Sequence, residues 1–192
     1  SVAITTIGGI GLWSVVVVLP AVEAAFGVDR ADASLPYTVL MIGFAAGGIV
    51  MGRLADRRGI GLPISIGAVA LGAGYALAGL SGALWQFILA HGVLIGFLGS
   101  SATFGPMIAD VSRWFVRRRG LAVSIAACGS YFAGALWPPV IQLLVDTVGW
   151  RMAHVAIGAF CLATILPLSL LIRRRAPEAS SERPVTLRGA AE

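Results

Sequence analysis

Few residues in this 192-residue chain can do chemistry, and most of them are charged. The segment Gly52-Arg53-Leu54-Ala55-Asp56-Arg57-Arg58-Gly59 sets a carboxylate beside two guanidinium groups, framed by glycines. Asp110 and Arg113 repeat the combination further on. A carboxylate near lipid is costly to bury alone, so Asp56 and Asp110 call for cationic partners. Nucleophilic chemistry has weaker grounds. Ser100, Ser101 and His154 suggest an intramembrane serine protease. That chemistry needs the serine in a G-x-S-G-like turn with a histidine in reach. Gly99-Ser100-Ser101-Ala102 lacks the pattern, so no catalytic residue is assigned. Cys128 and Cys161 lie inside apolar runs without zinc-type spacing, and no metal or cofactor is implied. His91 is the one titratable side chain well inside an apolar run and reads as a hydrogen-bonded packing residue.

The elements that position these groups follow from composition. The chain is 58% hydrophobic and 12% charged, with a mean hydropathy of +0.91. A soluble domain carries roughly 25% charged residues, so the solvent for most of this chain is lipid. The net charge is +5. Its basic residues sit in clusters between apolar runs, which is a topology signal and excludes the basic face of a nucleic-acid binder. About 20 apolar residues cross a bilayer. Residues 59–109 hold no Asp, Glu or Arg. At 1.5 Å per residue that run would extend roughly 75 Å, so it must turn, and Ser81-Gly82 is the place. The reading is an all-α polytopic membrane bundle of six transmembrane helices, near residues 1–22, 33–53, 61–80, 84–112, 120–146 and 151–172. Residues 176–192, rich in Pro, Ser, Glu and Arg, read as a cytoplasmic tail or linker.

Twelve of the fourteen arginines fall after the second, fourth and sixth runs; only Arg30 and Arg151 fall on the other side. Arg-rich short loops stay in the cytoplasm, so both termini are expected there, in the cell (inner) membrane. The pairs Gly43/Gly47, Gly48/Gly52 and Gly92/Gly96 are small-xxx-small spacings that let membrane helices pack closely. Leu54-x-Asp56-x-x-Gly59 and Leu144-x-Asp146-x-x-Gly149 share a pattern ninety residues apart, ending the second and fifth spans. Two inverted three-helix repeats, a known transporter plan, would place them equivalently.

Gly52 to Gly59 resembles the G-x-L-a-D-r-x-G signature of the major facilitator superfamily, and it falls between spans two and three, where that family carries it. Ile60 and Gly61 stand where the pattern continues with two basic residues. The resemblance implies half of a twelve-helix secondary transporter, working by rocker-switch alternating access. It implies a second six-helix half on the same polypeptide, a small-molecule solute, and the lipid bilayer as the remaining partner; the alternative reading is a stand-alone six-helix membrane protein that homodimerises to supply that half, or that no longer transports. The resemblance also implies a conformational latch built from Gly52, Asp56, Arg57, Arg58, Gly59, Asp110 and Arg113. In that latch Arg57 pairs with Asp110, and Asp56 with a group across the halves. Arg113-Trp114-Phe115-Val116-Arg117-Arg118-Arg119-Gly120-Leu121-Ala122, Gly129-Ser130, Gly134 and Gly149-Trp150-Arg151 look like monocarboxylate-transporter-like members. The substrate implied is a small organic anion such as a monocarboxylate. The first span lacks that branch's acidic-glycine-aromatic motif and lysine, so proton-coupled lactate transport is not carried over. Gly129 to Pro139 is similar to the Gly- and Pro-rich fifth helix of antiporters, although Ala135 follows Gly134. A kink is expected around Gly129, Gly134, Pro138 and Pro139. Such transporters bind solute at the midplane between halves. Polar and aromatic residues near span centres are therefore cavity candidates: Trp13, Tyr37, Ser101, Tyr131 and Gln142, with Ser100 and Thr103 qualifying by type.

Overall fold

A computed structural model of the chain describes residues 2–114 and 117–171. The tail expected at residues 176–192 lies outside the described residues. The described chain is helical throughout: α1 (Val2–Gly8), α2 (Ile10–Phe26), α3 (Arg30–Arg58), α4 (Gly61–Leu80), α5 (Leu84–Leu89), a π-helical stretch (Ala90–Ser100), α6 (Ser101–Trp114) and α7 (Arg119–Leu171). Five stretches are long and apolar enough to cross a membrane. The fifth, Arg119–Leu170, has 52 residues, about 78 Å of helix against a bilayer core of roughly 30 Å. Gly149 divides it, with backbone at φ 80°, ψ 156°.

Local chemistry sets the boundaries. Gly27 ends α2 in the left-handed conformation (φ 63°), its N–H donating to the Glu23 carbonyl. The Asp29 carboxylate then caps α3 by accepting from the Asp32 N–H at 2.9 Å, filling one of the donors a helix start leaves open. At Ser81–Ala83 the chain reverses. The Ser81 hydroxyl donates to the Ala78 carbonyl at 2.7 Å, and the Gly82 N–H donates to Gln86 Oε1 at 2.9 Å. Gly59 (φ 84°, ψ 165°) and Gly149 (φ 80°, ψ 156°) share one backbone conformation, one that side-chain-bearing residues essentially never adopt. The two glycines of the ninety-residue repeat thus make the same turn at the ends of the second and fifth apolar runs.

Packing relies on missing side chains, as expected where lipid gives helices little hydrophobic reason to associate. A methyl group on Gly43 would lie 2.2 Å from the Gly92 carbonyl oxygen. One on Gly47 would lie 2.1 Å from that of Phe97, and one on Gly96 2.6 Å from that of Leu40. Helix α3 and the π-helical stretch therefore meet backbone to backbone. Gly48 and Gly52 differ: a methyl on either would meet nothing within 4 Å. Polar bonds join other helices. Ser100 Oγ donates to the Gly8 carbonyl at 3.1 Å, Trp137 Nε1 to that of Thr6 at 2.7 Å, and the hydroxyls of Ser65 and Ser169 meet at 2.9 Å.

Candidate conformational latch and cavity residues

Asp56 lies in the last turn of α3 and Arg113 in the last turn of α6. The two helices end side by side, and Arg113 Nη2 forms an ion pair and hydrogen bond with Asp56 Oδ1. Both side chains remain about half exposed, at 56% and 51%, so water still solvates the pair. This pairing differs from the one expected. Asp110 accepts from Trp114 Nε1 at 3.2 Å, one turn along its own helix, rather than from Arg57. Among the described residues no ion pair involves Arg57 or Arg58, and both are exposed. The reason is angular. Successive helical residues do not face each other, so the side of α3 that turns Asp56 toward α6 turns Arg57 away. Asp56 thus has a cationic partner within this bundle. Gly52, one turn earlier on α3, faces open space, and Gly59 turns the chain into α4.

The cavity candidates separate into two groups. Ser101 is fully buried between α3 and α6, its hydroxyl donating to the Phe97 carbonyl and lying where a methyl on Gly47 would go. Ser100 and Thr103 are buried too, donating to the carbonyls of Gly8 and Ser100. None of the three presents a polar atom to a cavity; all satisfy backbone, the habit of hydroxyl residues in apolar helices. Trp13, Tyr37, Tyr131 and Gln142 are exposed on the bundle's outside, Tyr131 at 79%. Gln142 Nε2 donates to Asp146 Oδ1 at 2.8 Å. The Trp13 ring lies over Gly134, where a methyl would come within 2.6 Å of it, and Gly129 gives comparable room to Thr5. These glycines act as seats for α1 and α2. Pro138 and Pro139 keep helical backbone, and the break inside α7 falls at Gly149.

Two features were not visible in the sequence. Helix α2 runs to Phe26, so Glu23 sits in its last full turn with Oε1 buried. A ring cluster forms at that end of the bundle from Phe26, Tyr75, Phe87, His91, Trp150 and His154. Ser101 and His154 each bond a backbone carbonyl of the preceding turn, those of Phe97 and Trp150. Arg151 closes the cluster. Its Nη1 donates to the Ser81 carbonyl at 2.7 Å, and its guanidinium stands 4.6 Å over the Trp150 ring.

Comparison with known proteins places this geometry in context. The family model described as Major Facilitator Superfamily matches residues 2–191. The MFS-type transporter pynF of Aspergillus niger is 35% identical over 141 residues, 73% of this chain and 32% of that protein. The MFS-type transporter eupM of a Phoma species is 34% identical over 155 residues, 80% of this chain and 54% of that protein. Human monocarboxylate transporter 11 is 37% identical over 123 residues, 61% of this chain and 26% of that protein. The chain thus spans between about a quarter and about a half of the length of these relatives.

Proposed function

The chain belongs to the Major Facilitator Superfamily, and from that membership we propose that it forms the first six-helix half of a secondary active transporter. Five apolar stretches, the last divided at Gly149, support the reading of six crossings. The Arg-rich loops put both ends in the cytoplasm and the bundle in the cell membrane. A second six-helix half, on the same polypeptide or in a second copy, completes a midplane cavity. The two halves rock to expose it alternately to either side. The substrate class is a small organic anion such as a monocarboxylate, a reading supported by the likeness to monocarboxylate transporters 11 and 12.

One observation carries the mechanism. The signature acid Asp56 joins α3 to α6 through Arg113, at the end of α3 that carries Arg53, Arg57 and Arg58. The ion pair fixes the ends of two helices that move together in a rocking half. Arg57 and Arg58, free of ion pairs among the described residues, are available to the facing half when that side closes. Trp13, Tyr37, Tyr131 and Gln142, exposed on the bundle, are the residues we assign to the cavity or the facing half. Uptake of radiolabelled monocarboxylates into proteoliposomes containing the full transporter tests the reading. Saturable uptake slowed by Asp56→Asn, with membrane insertion unchanged, is the expected result. An Asp56→Asn protein that transports at the parental rate sinks the latch, and the absence of organic-anion uptake sinks the substrate class.

A further inference from the structure

We propose that His91 and His154 together hold one buried water molecule that hydrogen-bonds the two rings and ties the π-helical stretch to the second part of α7. Both histidines are fully buried, and their ring centroids lie 5.7 Å apart at 76°. His91 Nδ1 lies 3.0 Å from the Phe87 carbonyl oxygen and His154 Nδ1 lies 2.7 Å from that of Trp150. A carbonyl can only accept, so each Nδ1 carries the hydrogen. In a neutral ring the lone pair is then on Nε2. Neither Nε2 meets a hydrogen-bond partner among the described residues. Two buried acceptors on adjacent rings, with no donor among the described residues, point to a small molecule that donates twice.

The surroundings favour a neutral donor over a charge. Phe87 stacks 4.2 Å from the His91 centroid and 5.5 Å from that of His154, and Tyr75 lies 6.4 Å and 5.7 Å from the same rings. Trp150 closes the His154 side at 5.8 Å. Arg151 is turned to the carbonyls of Gly79 and Ser81. Glu23, one turn before Phe26 on α2, has its Oε1 buried and without a partner among the described residues too; a carboxylate oxygen accepts and so meets neither ring's lone pair. A proton placed on the pair would be an ion inside an aromatic shell, a costly arrangement. A water fits, since buried waters need two to four polar contacts. It donates one hydrogen to each Nε2. Two helical segments then converge on one solvent molecule: the π-helical stretch through His91 and α7 through His154. The π-helical turn begins at Ala90, immediately before His91. π-Helical turns are frequent at functional sites.

The chain has two histidines, which makes the test direct. The full chain, 15N-labelled at histidine and held in phospholipid nanodiscs, is studied by solid-state nitrogen NMR with water-edited transfer. Single His91→Asn and His154→Asn variants assign the two rings. The expected spectrum shows both rings neutral with hydrogen on Nδ1, and both Nε2 signals shifted toward the hydrogen-bonded range and receiving magnetisation from a slowly exchanging water. An imidazolium signal, a ring with hydrogen on Nε2, or Nε2 signals without contact to water would each overturn the proposal. If the variants fail to fold, the unmodified chain still decides the matter, because the three overturning signatures need no assignment to one ring.

Discussion

Adding one methyl group at Gly47 and one at Gly48 should separate the two faces of α3. The added carbon of Gly47→Ala would sit 2.1 Å from the Phe97 carbonyl oxygen, 2.7 Å from Ser101 Oγ and 2.8 Å from the Phe97 carbonyl carbon. Ordinary contacts between carbon and a carbonyl oxygen lie at about 3.3–3.6 Å, so the shortfall exceeds an ångström. The obstacle is mostly backbone of the π-helical stretch, which cannot rotate away as a side chain can. Helix α3 would have to retreat and give up the contacts made by Gly43 and Gly96 as well. Overpacking of this kind costs roughly 1–3 kcal/mol, occasionally more, against a helix gain of about 1 kcal/mol for alanine over glycine. At about 2–4 °C per kcal/mol for a chain of this size, Gly47→Ala should melt up to roughly 8 °C below the parent. Gly48→Ala meets nothing within 4 Å, and alanine is favoured over glycine in a helix by about 0.8–1.0 kcal/mol. That variant should melt at or above the parental temperature. Tryptophan fluorescence melting in detergent micelles measures both. Equal melting temperatures for the two variants would refute the assignment of Gly47 to the packed face and Gly48 to the open one.

Three further outcomes follow from the geometry. In a double-mutant cycle on melting free energy, Asp56→Asn and Arg113→Gln should couple by no more than about 1 kcal/mol, the usual worth of an exposed pair; a coupling several times larger would mean that the pair is shielded from water. Gly149→Ala introduces no steric contact, only side-chain-bearing backbone at φ 80°, so it should lower stability by about 1–3 kcal/mol, and Gly59→Ala should lose a similar amount; full parental stability in both would show that neither turn needs glycine. Trp137→Phe removes the donor to the Thr6 carbonyl and keeps most of the ring, so a loss near 1 kcal/mol is expected, checked by the same melting measurement with Trp13→Phe measured alongside.

The extent to which this molecule was legible follows from what a linear sequence records. Lipid as a solvent imposes long uncharged runs and sorts arginines by side; both are properties of the chain taken in order, so the helical bundle could be read directly. The repeat was legible as well, because Gly59 and Gly149 mark their turns by residue type. Which face a residue occupies is a different matter. Gly43/Gly47 and Gly48/Gly52 have identical spacing, yet one pair touches the π-helical backbone and the other faces open space. In the apolar stretch of α3 around these glycines no polar side marks the difference. The same ambiguity hides from the sequence that Ser101 is buried on backbone and that Asp110 bonds Trp114 rather than Arg57. In a soluble helix, polarity would have told the inside from the outside; here both sides are apolar and only the neighbouring helix decides.

The ring cluster shows where such reading stops. Tyr75, His91 and His154 come from three separate helical segments and share no spacing. His91 looked like a lone packing histidine because its counterpart stands 63 residues away in the chain. A partial signal was present in residue type: a chain with few charges in its spans keeps two histidines, His91 well inside an apolar run and His154 near the start of the last one. An ionisable side chain in a membrane helix is costly unless its polar atoms are satisfied. Each ring satisfies one nitrogen locally, on the carbonyl four residues earlier. That leaves two lone pairs whose needs can be met only together. The polar requirement of one helix is thus completed by another, a dependence that fixes their mutual register more tightly than apolar contact does.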